Sequence, residues 1–513
     1  MSILHIDLEK EEIRSIADRG EKGYLLLHEL IEGRKDCIAF TSITKDDLAL
    51  RGASSSCYAF FSPLRGKIQY GYSNSSFPFV LYSFGYTALL ISGRASCLSY
   101  ISIRGNAIEM KRCEDLRHSS HEEFKKAVRA KDSDIVLSTG RAADDMIMIS
   151  ALYEDGREIG RGGFGYAFSA LNLKGICFQS YLPKRKEDEE GRRYLKEIEK
   201  SGFAGCLKRE SDTAWIVNVE RHGALPIDNF TRRHDARAVF LDGSYLKGRY
   251  GAYSISCTDC PVSCRRIMQD GTAVPELDEM IALGAMQDIF SSDKVLLLRS
   301  AVFDAGLETV EAGAMLSMTG LTFEEKIKKV KNYKGEDYGS YKVGGLSPLF
   351  DLRGSGEAAL FMMLGDSFVP YYSLYSPTRI RDERSSAILA LFERVYRYAL
   401  SSRGLPVKGA YAAYVSPMPR ICYHSPFLLR MFLEHVSFFS IDRKILIREG
   451  LEIMNMIGED ENQIPGHFIY TSSSGSDEST VNPTRLMWYY KREKRRLELK
   501  YLDRPAKRKA EKG

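Results

Sequence analysis

Three cysteines stand close together in the middle of the chain and offer the clearest chemistry. Cys257, Cys260 and Cys264 are spaced C-x2-C-x3-C, and Pro261 stiffens the loop between them. A disulfide within so short a loop would be strained. Thiolates at this spacing are typical ligands of an iron–sulfur cluster, which would take a fourth ligand from elsewhere. Structural zinc is the main alternative, and a tight turn with inert cysteines is another.

Cys422 is the candidate for the fourth ligand, because it is the only cysteine after Cys264. His424 lies two residues further on and is an alternative ligand or a surface residue. The other cysteines are scattered singly, which does not suggest the disulfide framework of a secreted protein. They are Cys37, Cys57, Cys97, Cys113, Cys177 and Cys206.

A glycine-rich stretch forms the second candidate site. Residues 156–165 hold five glycines together with Arg157 and Arg161, just before a predicted helix at 166–173. Glycines allow close approach of the backbone, and backbone N–H groups, a helix N-terminus and guanidinium forks suit an anion such as a phosphate. The alternative is a loop that needs glycine for positive φ angles.

The secondary-structure elements that must position these residues differ between the first part of the chain and the rest. Short β-prone runs dominate the first part, separated by Gly, Ser and Pro clusters, and helical patterns dominate the rest. The predicted strands are 3–8, 13–16, 39–41, 58–61, 79–82, 88–91, 98–103 and 134–137. The predicted helices are 23–31, 121–130, 166–173, 185–200, 275–286, 309–317, 358–363, 386–398, 426–435, 444–455 and 486–501. This order predicts an α+β fold with segregated parts.

Composition, charge and hydropathy indicate the broad class of protein to which the chain belongs. The 513 residues are 44% hydrophobic and 27% charged, as in ordinary globular chains. The net charge of +5 comes from the tail, since residues 491–513 hold eleven Lys or Arg and four Asp or Glu. A nucleic-acid-binding body is therefore not expected. The N-terminus has no signal-peptide pattern, and the most apolar segment, 77–93, is broken by Pro78, Ser83 and Gly85. We expect a cytoplasmic protein without membrane spans.

Short motifs in a fixed order resemble the aldehyde ferredoxin oxidoreductase family along nearly the whole chain. The opening strand at 3–8, the cysteine loop and six other segments carry the resemblance. The six are S-P-L-R-G (62–66) with S-N (73–74), G-R-G-G-F-G (160–165) with N-L-K (172–174), P-E-L-D (275–278), G-L-E-T (306–309), F-D-L-R-G (350–354) and R-E-G (448–450).

The resemblance implies a fold and a chemistry. It implies a β-rich N-terminal pterin-binding domain at 1–205, a helical domain with the iron–sulfur loop at 206–375, and a helical C-terminal domain with the basic tail at 376–513. It implies tungstopterin or molybdopterin beside a [4Fe–4S] cluster. The reaction implied is oxidation of a small aldehyde to a carboxylate, with ferredoxin as the electron acceptor. Oligomeric state stays open, with a homodimer as one option.

The resemblance also implies roles for single residues. Cluster ligands are Cys257, Cys260, Cys264 and Cys422. Cofactor-binding residues are Asn74, Arg157, Gly160, Arg161, Gly162, Leu307 and Glu308. Glu276 is the candidate for proton transfer, since a buried carboxylate beside a metal–pterin centre acts as acid or base if its pKa is raised. Its alternative role is the stabilising charge at a helix N-terminus.

Several positions depart from the family pattern. Phe303 stands where a pterin-holding aspartate belongs, and Glu308 replaces the aspartate that closes the same motif. The second such motif keeps only Cys422. Ser55 and Tyr371 stand at the family's arginine and histidine positions. These departures favour a second hypothesis, a degenerate paralogue that keeps the cluster for electron transfer or structure. A third is a zinc-stabilised binding protein.

Overall fold

The computed structural model describes most of the chain. The described residues are 1–43, 55–105, 107–129, 131–154, 156–180, 189–257, 260–336, 339–366, 382–405, 433–434, 442–465, 468 and 482–502.

The first part of the chain begins with a six-stranded mixed sheet. Its strands are β1 (Ser2–Asp7), β2 (Glu12–Ala17), β3 (Cys37–Thr41), β4 (Ser55–Ser62), β5 (Lys67–Asn74) and β6 (Tyr86–Ser92). The order is β2-β1-β6-β3-β4-β5, with β1 and β6 parallel and the other neighbours antiparallel. Helices α1 (Gly23–Ile31) and α2 (Phe77–Ser83) pack on this sheet. Because neighbouring strands of this sheet are not all consecutive in the chain, the sheet assembles only when segments that are distant in sequence come together.

A second six-stranded sheet follows. Its strands are β7 (Ser99–Arg104), β8 (Ala107–Arg112), β9 (Ile135–Thr139), β10 (Leu152–Glu154), β11 (Arg157–Ile159) and β12 (Leu173–Phe178). The order is β11-β10-β9-β12-β7-β8, so β11, which carries Arg157, is an edge strand. Helices here are α3 (His121–Val128), α4 (Arg141–Asp144) and α5 (Phe164–Ala170), with a 3-10 turn at Glu114–Leu116.

An aromatic core joins the two sheets through α5. The rings of Phe60 on β4 and Phe164 on α5 stack with their centroids 4.1 Å apart. Phe40 on β3 packs against Phe164 and Phe168 of the same helix. Because α5 begins at Phe164, within the last residues of the glycine-rich stretch, burial of its aromatic residues fixes the position of that stretch.

The rest of the described chain is mainly helical. Its helices are α6 (Glu189–Lys200), α7 (Gly202–Glu210), α8 (Ile216–Arg221), α9 (Gly243–Tyr250), α10 (Leu277–Leu283), α11 (Ser292–Ala305), α12 (Thr309–Ser317), α13 (Phe323–Lys331), α14 (Gly356–Met363), α15 (Glu383–Ser402), α16 (Arg443–Ile457) and α17 (Pro483–Tyr501). A hairpin of β13 (Tyr253–Ile255) and β14 (Arg265–Ile267) interrupts them, as do 3-10 segments at Asp212–Trp215, Ala236–Leu241 and Ala285–Gln287.

This order confirms the predicted α+β class, with a mixed-sheet N-terminal part followed by helical parts. The domain limits stay a prediction: residue 205 lies inside α7, and residue 375 lies outside the described residues. So does nearly all of the predicted helix 426–435. Within the part of the chain that the structure describes, no helix is both long and apolar enough to cross a bilayer.

One predicted strand is wrong. Residues 79–82 belong to α2, whose first turn contains Pro78 and whose residues from Phe77 to Leu81 are all buried. A short run of apolar residues does not distinguish a buried strand from a buried helix, and proline suits the first helical turn. Helix α11 was missed, although its buried Val295, Leu298 and Val302 follow helical spacing.

Candidate functional site

The cysteine loop is the connection of the β13–β14 hairpin. Pairing of Ile255 with Arg265 brings Cys257 and Cys264 to the same end of the hairpin. The loop turns where the Cys260 N–H donates to the Cys257 carbonyl at 3.0 Å, and the hydroxyls of Ser256 and Ser263 contact across it at 2.6 Å. All three cysteines are partly exposed.

Arg157 reaches this loop from the edge of the second sheet. Its Nη1 donates to Cys257 Sγ at 3.5 Å, and its Nη2 lies 3.2 Å from Glu276 Oε1. The Glu276 carboxylate, followed by the Cys257 and Cys264 thiols, raises the pKa of Arg157 against the opposing effect of burial. The structure thus brings Arg157 next to two other predicted site residues, Cys257 and Glu276, which follow it in the chain by 100 and 119 residues.

A small cavity of about 60 Å³ lies behind this contact. Arg157, Glu158, Glu276 and Arg299 line it, with Thr309 at the start of α12. This volume holds a few water molecules, so the cavity is too small for a pterin or an organic substrate. Its walls are charged, and it connects the surroundings of the cysteine loop with the start of α12.

Arg161 makes a closed ion-pair network on the other side of the glycine-rich stretch. Its Nε donates to Glu308 Oε1 at 3.2 Å, and its Nη2 donates to Glu311 Oε1 at 2.8 Å and to the Ser347 carbonyl at 2.9 Å. Glu311 also accepts from the Ser347 N–H and hydroxyl. Both carboxylates are buried, with 1% and 0% side-chain exposure.

Backbone N–H groups of the glycine-rich stretch form an anion-binding nest, and the side-chain carboxyl group of Glu308 occupies it. The N–H groups of Gly162 and Gly163 donate to Glu308 Oε2 at 2.8 and 3.1 Å. These two glycines and Gly160 all have positive φ, between 72° and 97°. A Cβ on Gly160 would lie 2.5 Å from the Tyr58 hydroxyl, so this stretch packs on protein atoms. The described groups around Arg161 therefore do not fit a phosphate. Their assignment as cofactor contacts stays a prediction.

Two of the carboxyl groups here have raised pKa values. Burial is the largest cause of the shift that raises the pKa of Glu308 to about 7, and Arg161 and the glycine N–H groups oppose it. Burial, followed by the Glu308 carboxylate, raises the pKa of Glu158 as well. Glu158 Oε2 accepts from the Thr309 N–H at 2.8 Å. This pair of carboxyl groups holds protons at a pH where ordinary glutamates have lost them.

The G-L-E-T motif joins the helical part to the second sheet. The Glu308 N–H donates to the Ile149 carbonyl at 2.8 Å, and the Tyr153 hydroxyl donates to the Leu307 carbonyl at 2.7 Å. Gly306 has φ of 78°, and a Cβ there would lie 2.8 Å from Gly140 Cα. Glycine is needed at Gly306 for both reasons. Leu307 is buried and acts here through its backbone.

Phe303, which stands where the motif resemblance implies a carboxylate, makes aromatic contacts. Its ring centroid lies 4.9 Å from that of Tyr153 and 4.3 Å from the Arg299 guanidinium. Asp304 beside it is exposed and accepts from the Ser300 hydroxyl at 3.5 Å. Neither residue places a carboxylate in the buried position that the motif would require.

Several other motifs hold the fold together. In N-L-K, Asn172 has φ of 55° and Lys174 forms a fully buried ion pair with Asp144 at 2.5 Å. In S-P-L-R-G, the Ser62 hydroxyl donates to the Gly162 carbonyl at 2.6 Å, and Arg65 pairs with Asp460 at the same distance. The Ser62 contact thus holds the backbone of the glycine-rich stretch, and the Arg65 ion pair connects the S-P-L-R-G motif with the C-terminal part of the chain.

Some predicted residues fall outside this description. Cys422, His424 and Tyr371 lie outside the described residues, and Asn74 is described only as the last residue of β5, with its backbone opposite Ser55. Among the described residues, no three His, Cys, Asp or Glu side chains are grouped closely enough to bind a metal ion. The donor chemistry nevertheless fits a thiolate-bound group, because three thiols share one loop and a guanidinium contacts one of them. Cluster ligation stays a prediction.

Sequence reasoning missed Glu158, Glu311 and Ser347. Glu158 lies between the two candidate arginines, and Glu311 lies on the predicted helix 309–317, where residues 309–316 are all buried. A glutamate within a buried helix could have indicated an ion pair, because an isolated buried charge needs a partner.

Comparison with known proteins identifies the family. A model of the aldehyde ferredoxin oxidoreductase N-terminal domain matches residues 28–180, and a model of domains 2 and 3 of that enzyme matches residues 189–344. Together the two matches span more than half of the chain. The chain belongs to the aldehyde ferredoxin oxidoreductase family. This confirms the resemblance of its motifs, and the family's members include tungsten-containing oxidoreductases.

Individual relatives are distant. A tungsten-containing aldehyde ferredoxin oxidoreductase of Pyrococcus abyssi is 26% identical over 297 residues, which are 55% of this chain and 49% of the relative. The WOR-like subunit of an aliphatic sulfonate oxidoreductase of Pyrococcus furiosus is 22% identical over 277 residues, 47% of this chain and 43% of that protein. The chain spans about half the length of the curated relatives it matches.

A solved structure extends the likeness of the fold to nearly the whole chain. It is the active site complex BamBC of benzoyl coenzyme A reductase with 1,5-dienoyl-CoA. The TM-score is 0.66 at 13% identity, over 96% of this chain and 94% of that one. This likeness is one of fold alone, and it reaches beyond residue 344, where the match to the family models ends.

Proposed function

We propose that this protein is an iron–sulfur oxidoreductase of the aldehyde ferredoxin oxidoreductase type. It oxidises a small aldehyde or related carbonyl to a carboxylate in the cytoplasm, with water as the oxygen source and ferredoxin as the electron acceptor. The contact between Arg157 and Cys257 carries the proposal, because it joins the glycine-rich stretch to the thiol loop. When bound, a tungsten or molybdenum pterin supplies the two-electron oxidation.

The other roles in the proposed function belong to residues of the protein. Cys257, Cys260, Cys264 and Cys422 would hold a [4Fe–4S] cluster through their thiolates. Arg157 would keep a positive charge at this loop, since its pKa is raised.

Glu276 is the candidate proton acceptor. It is the N-cap of α10, where its side chain and that of Glu279 form a capping box, and it also pairs with Arg157. A carboxylate paired with a guanidinium is a weaker base than a free one. Its catalytic role therefore depends on a change in that ion pair when substrate binds.

A degenerate paralogue without pterin-metal catalysis is the second candidate function. Two observations favour it. Glu308 accepts from the glycine N–H groups and shares Arg161 with Glu311, and the aromatic Phe303 stands where the motif resemblance implies a carboxylate. Such a protein would keep the cluster for electron transfer or for structure.

Metal analysis of anaerobically purified protein separates these functions. Tungsten or molybdenum with about four irons per chain supports the first, since a cluster of this type holds four irons. Iron alone supports the second, and zinc alone overturns both. Cys260→Ser is expected to lose the metal. Cys206→Ser, which changes a partly exposed cysteine outside the loop, is the matched control and is expected to retain it.

A further inference from the structure

Arg157 touches the cysteine loop in a geometry that two neighbours maintain. Nη1 points to Cys257 Sγ at 3.5 Å, while Nη2 is held by both Glu276 oxygens at 3.2 and 3.5 Å. The residue follows Gly156, whose φ of 73° makes the turn from β10 into β11. The backbone of one sheet and a carboxylate from α10 therefore fix the guanidinium next to the sulfur.

A guanidinium at this place has a predictable effect on a thiolate-bound metal centre. Reduction adds negative charge to the centre and its thiolates, and a positive donor next to a thiolate stabilises that charge. Hydrogen bonds to cluster sulfurs and nearby charge are known determinants of cluster reduction potential. Other charged groups line the same cavity, namely Glu158, Arg265, Arg266, Asp278, Glu279 and Arg299.

We propose that Arg157 is a positioning residue that binds the Cys257 thiolate and raises the reduction potential of the metal centre in the 257–264 loop. This inference rests on the proposed iron–sulfur function. It assigns to Arg157 a role in electron transfer in place of the phosphate contact expected from the sequence. It also links the N-terminal part of the protein to the redox centre through one side chain.

The molecule contains a matched control for this role. Arg104 also bridges a carboxylate and a thiol, with Nη1 at 3.2 Å from Asp134 Oδ2 and Nη2 at 3.8 Å from Cys177 Sγ. Its side chain is 29% exposed, against 26% for Arg157. Cys177 lies on β12, outside the cysteine loop. Arg104→Met therefore removes the same kind of contact at a cysteine that holds no cluster.

The test is a redox titration of the full-length, anaerobically purified protein, followed by the EPR signal of the reduced cluster. Arg157→Met is expected to shift the ratio of reduced to oxidised cluster at a given potential tenfold toward the oxidised form, equal to about 59 mV for a one-electron centre. Arg157→Lys, which keeps the charge without the guanidinium fork, is expected to shift it less. Arg104→Met is expected to match the wild type.

Each outcome decides one point. If Arg157→Met keeps its iron and titrates at the wild-type potential, the inference is wrong. If Arg157→Met loses its iron, Arg157→Lys is measured in its place: a potential below the wild type supports the inference, and an unchanged one overturns it. If Arg104→Met shifts as much as Arg157→Met, the effect is general and the inference fails. Wild-type protein without iron would instead refute the proposed function itself.

Discussion

Arg157 and Arg161 lie four residues apart in one glycine-rich stretch, yet they belong to two different environments. We call them the thiol side, made of Arg157, Cys257 and Glu276, and the glutamate side, made of Arg161, Glu308 and Glu311. On the thiol side the arginine has one carboxylate and a partly exposed thiol beside a cavity. On the glutamate side buried carboxylates accept hydrogen bonds from Arg161 and from the N–H groups of Gly162 and Gly163. Equal residue types thus give a contact with a thiol in one place and a structural joint in the other.

The largest expected difference between the two sides is in stability. Arg161→Met leaves two buried carboxylates without their cation, and we expect the free energy of unfolding to fall by about 3–5 kcal/mol. Arg157→Met breaks a partly exposed contact, and we expect a loss of about 1 kcal/mol or less. Urea denaturation of both variants, followed by circular dichroism, measures this. Equal losses would show that the two sides do not differ as described.

A second prediction concerns the joint next to the glutamate side. Gly306→Ala adds a Cβ 2.8 Å from Gly140 Cα at a φ of 78°. We expect the free energy of unfolding to fall by about 2–4 kcal/mol, because backbone strain and overpacking add. Gly320→Ala is the control, because Gly320 also has a positive φ, of 60°, but a Cβ there would meet open space. Its expected loss is about 1 kcal/mol, from strain alone. Similar melting temperatures for the two variants would argue against a tight joint.

The third prediction is a pH dependence that belongs to the glutamate side. The pKa of Glu308 rises from 4.5 to about 7 on folding, so the native state holds a proton that the unfolded chain releases. Stability from this group is therefore complete below pH 4.5 and declines as the pH rises to about 7. The decline is at most about 3 kcal/mol.

Glu308→Gln is expected to flatten this decline. The slope of stability against pH is compared between wild type and variant from pH 5 to 7.5 by urea denaturation. Charged groups around Glu308 are Arg161, Glu311 and Glu158, and they remain in the variant. Identical slopes in the two proteins would exclude Glu308 as the titrating group.

The smallest expected stability effect separates the two roles of Glu276. Glu276→Gln weakens the cap of α10 and the ion pair with Arg157, and we expect a loss of about 0.5–1.5 kcal/mol. Glu123→Gln in the capping box of α3 is the control, with a similar stability loss. If Glu276 transfers a proton, its variant alone loses aldehyde oxidation by the metal-loaded protein. Unchanged turnover in Glu276→Gln would leave it with a capping role.

Local sequence patterns were sufficient for much of the fold. The helices at Gly23–Ile31 and Thr309–Ser317 begin and end where the pattern of apolar residues predicted. The positive φ angles of Gly160, Gly162 and Gly163 follow from glycine density. Cysteine spacing and Pro261 indicated a loop at 257–264, although the strands of the hairpin that holds it were not predicted. Each of these features depends on residues within one or two turns of the chain, which is the range over which propensity and periodicity act.

Tertiary structure decided what those local features bind. The glycine nest was predictable, but Glu308, its occupant, comes from 146 residues further along the chain. Arg157 meets Cys257 across 100 residues, and α2 is helical because its apolar run packs on a sheet assembled from distant strands. Ion pairs and sheet order depend on contacts between segments that sequence spacing does not relate. The sequence by itself therefore determined which groups could bind an anion or a thiolate, and only the folded chain decided which of them had already found a partner.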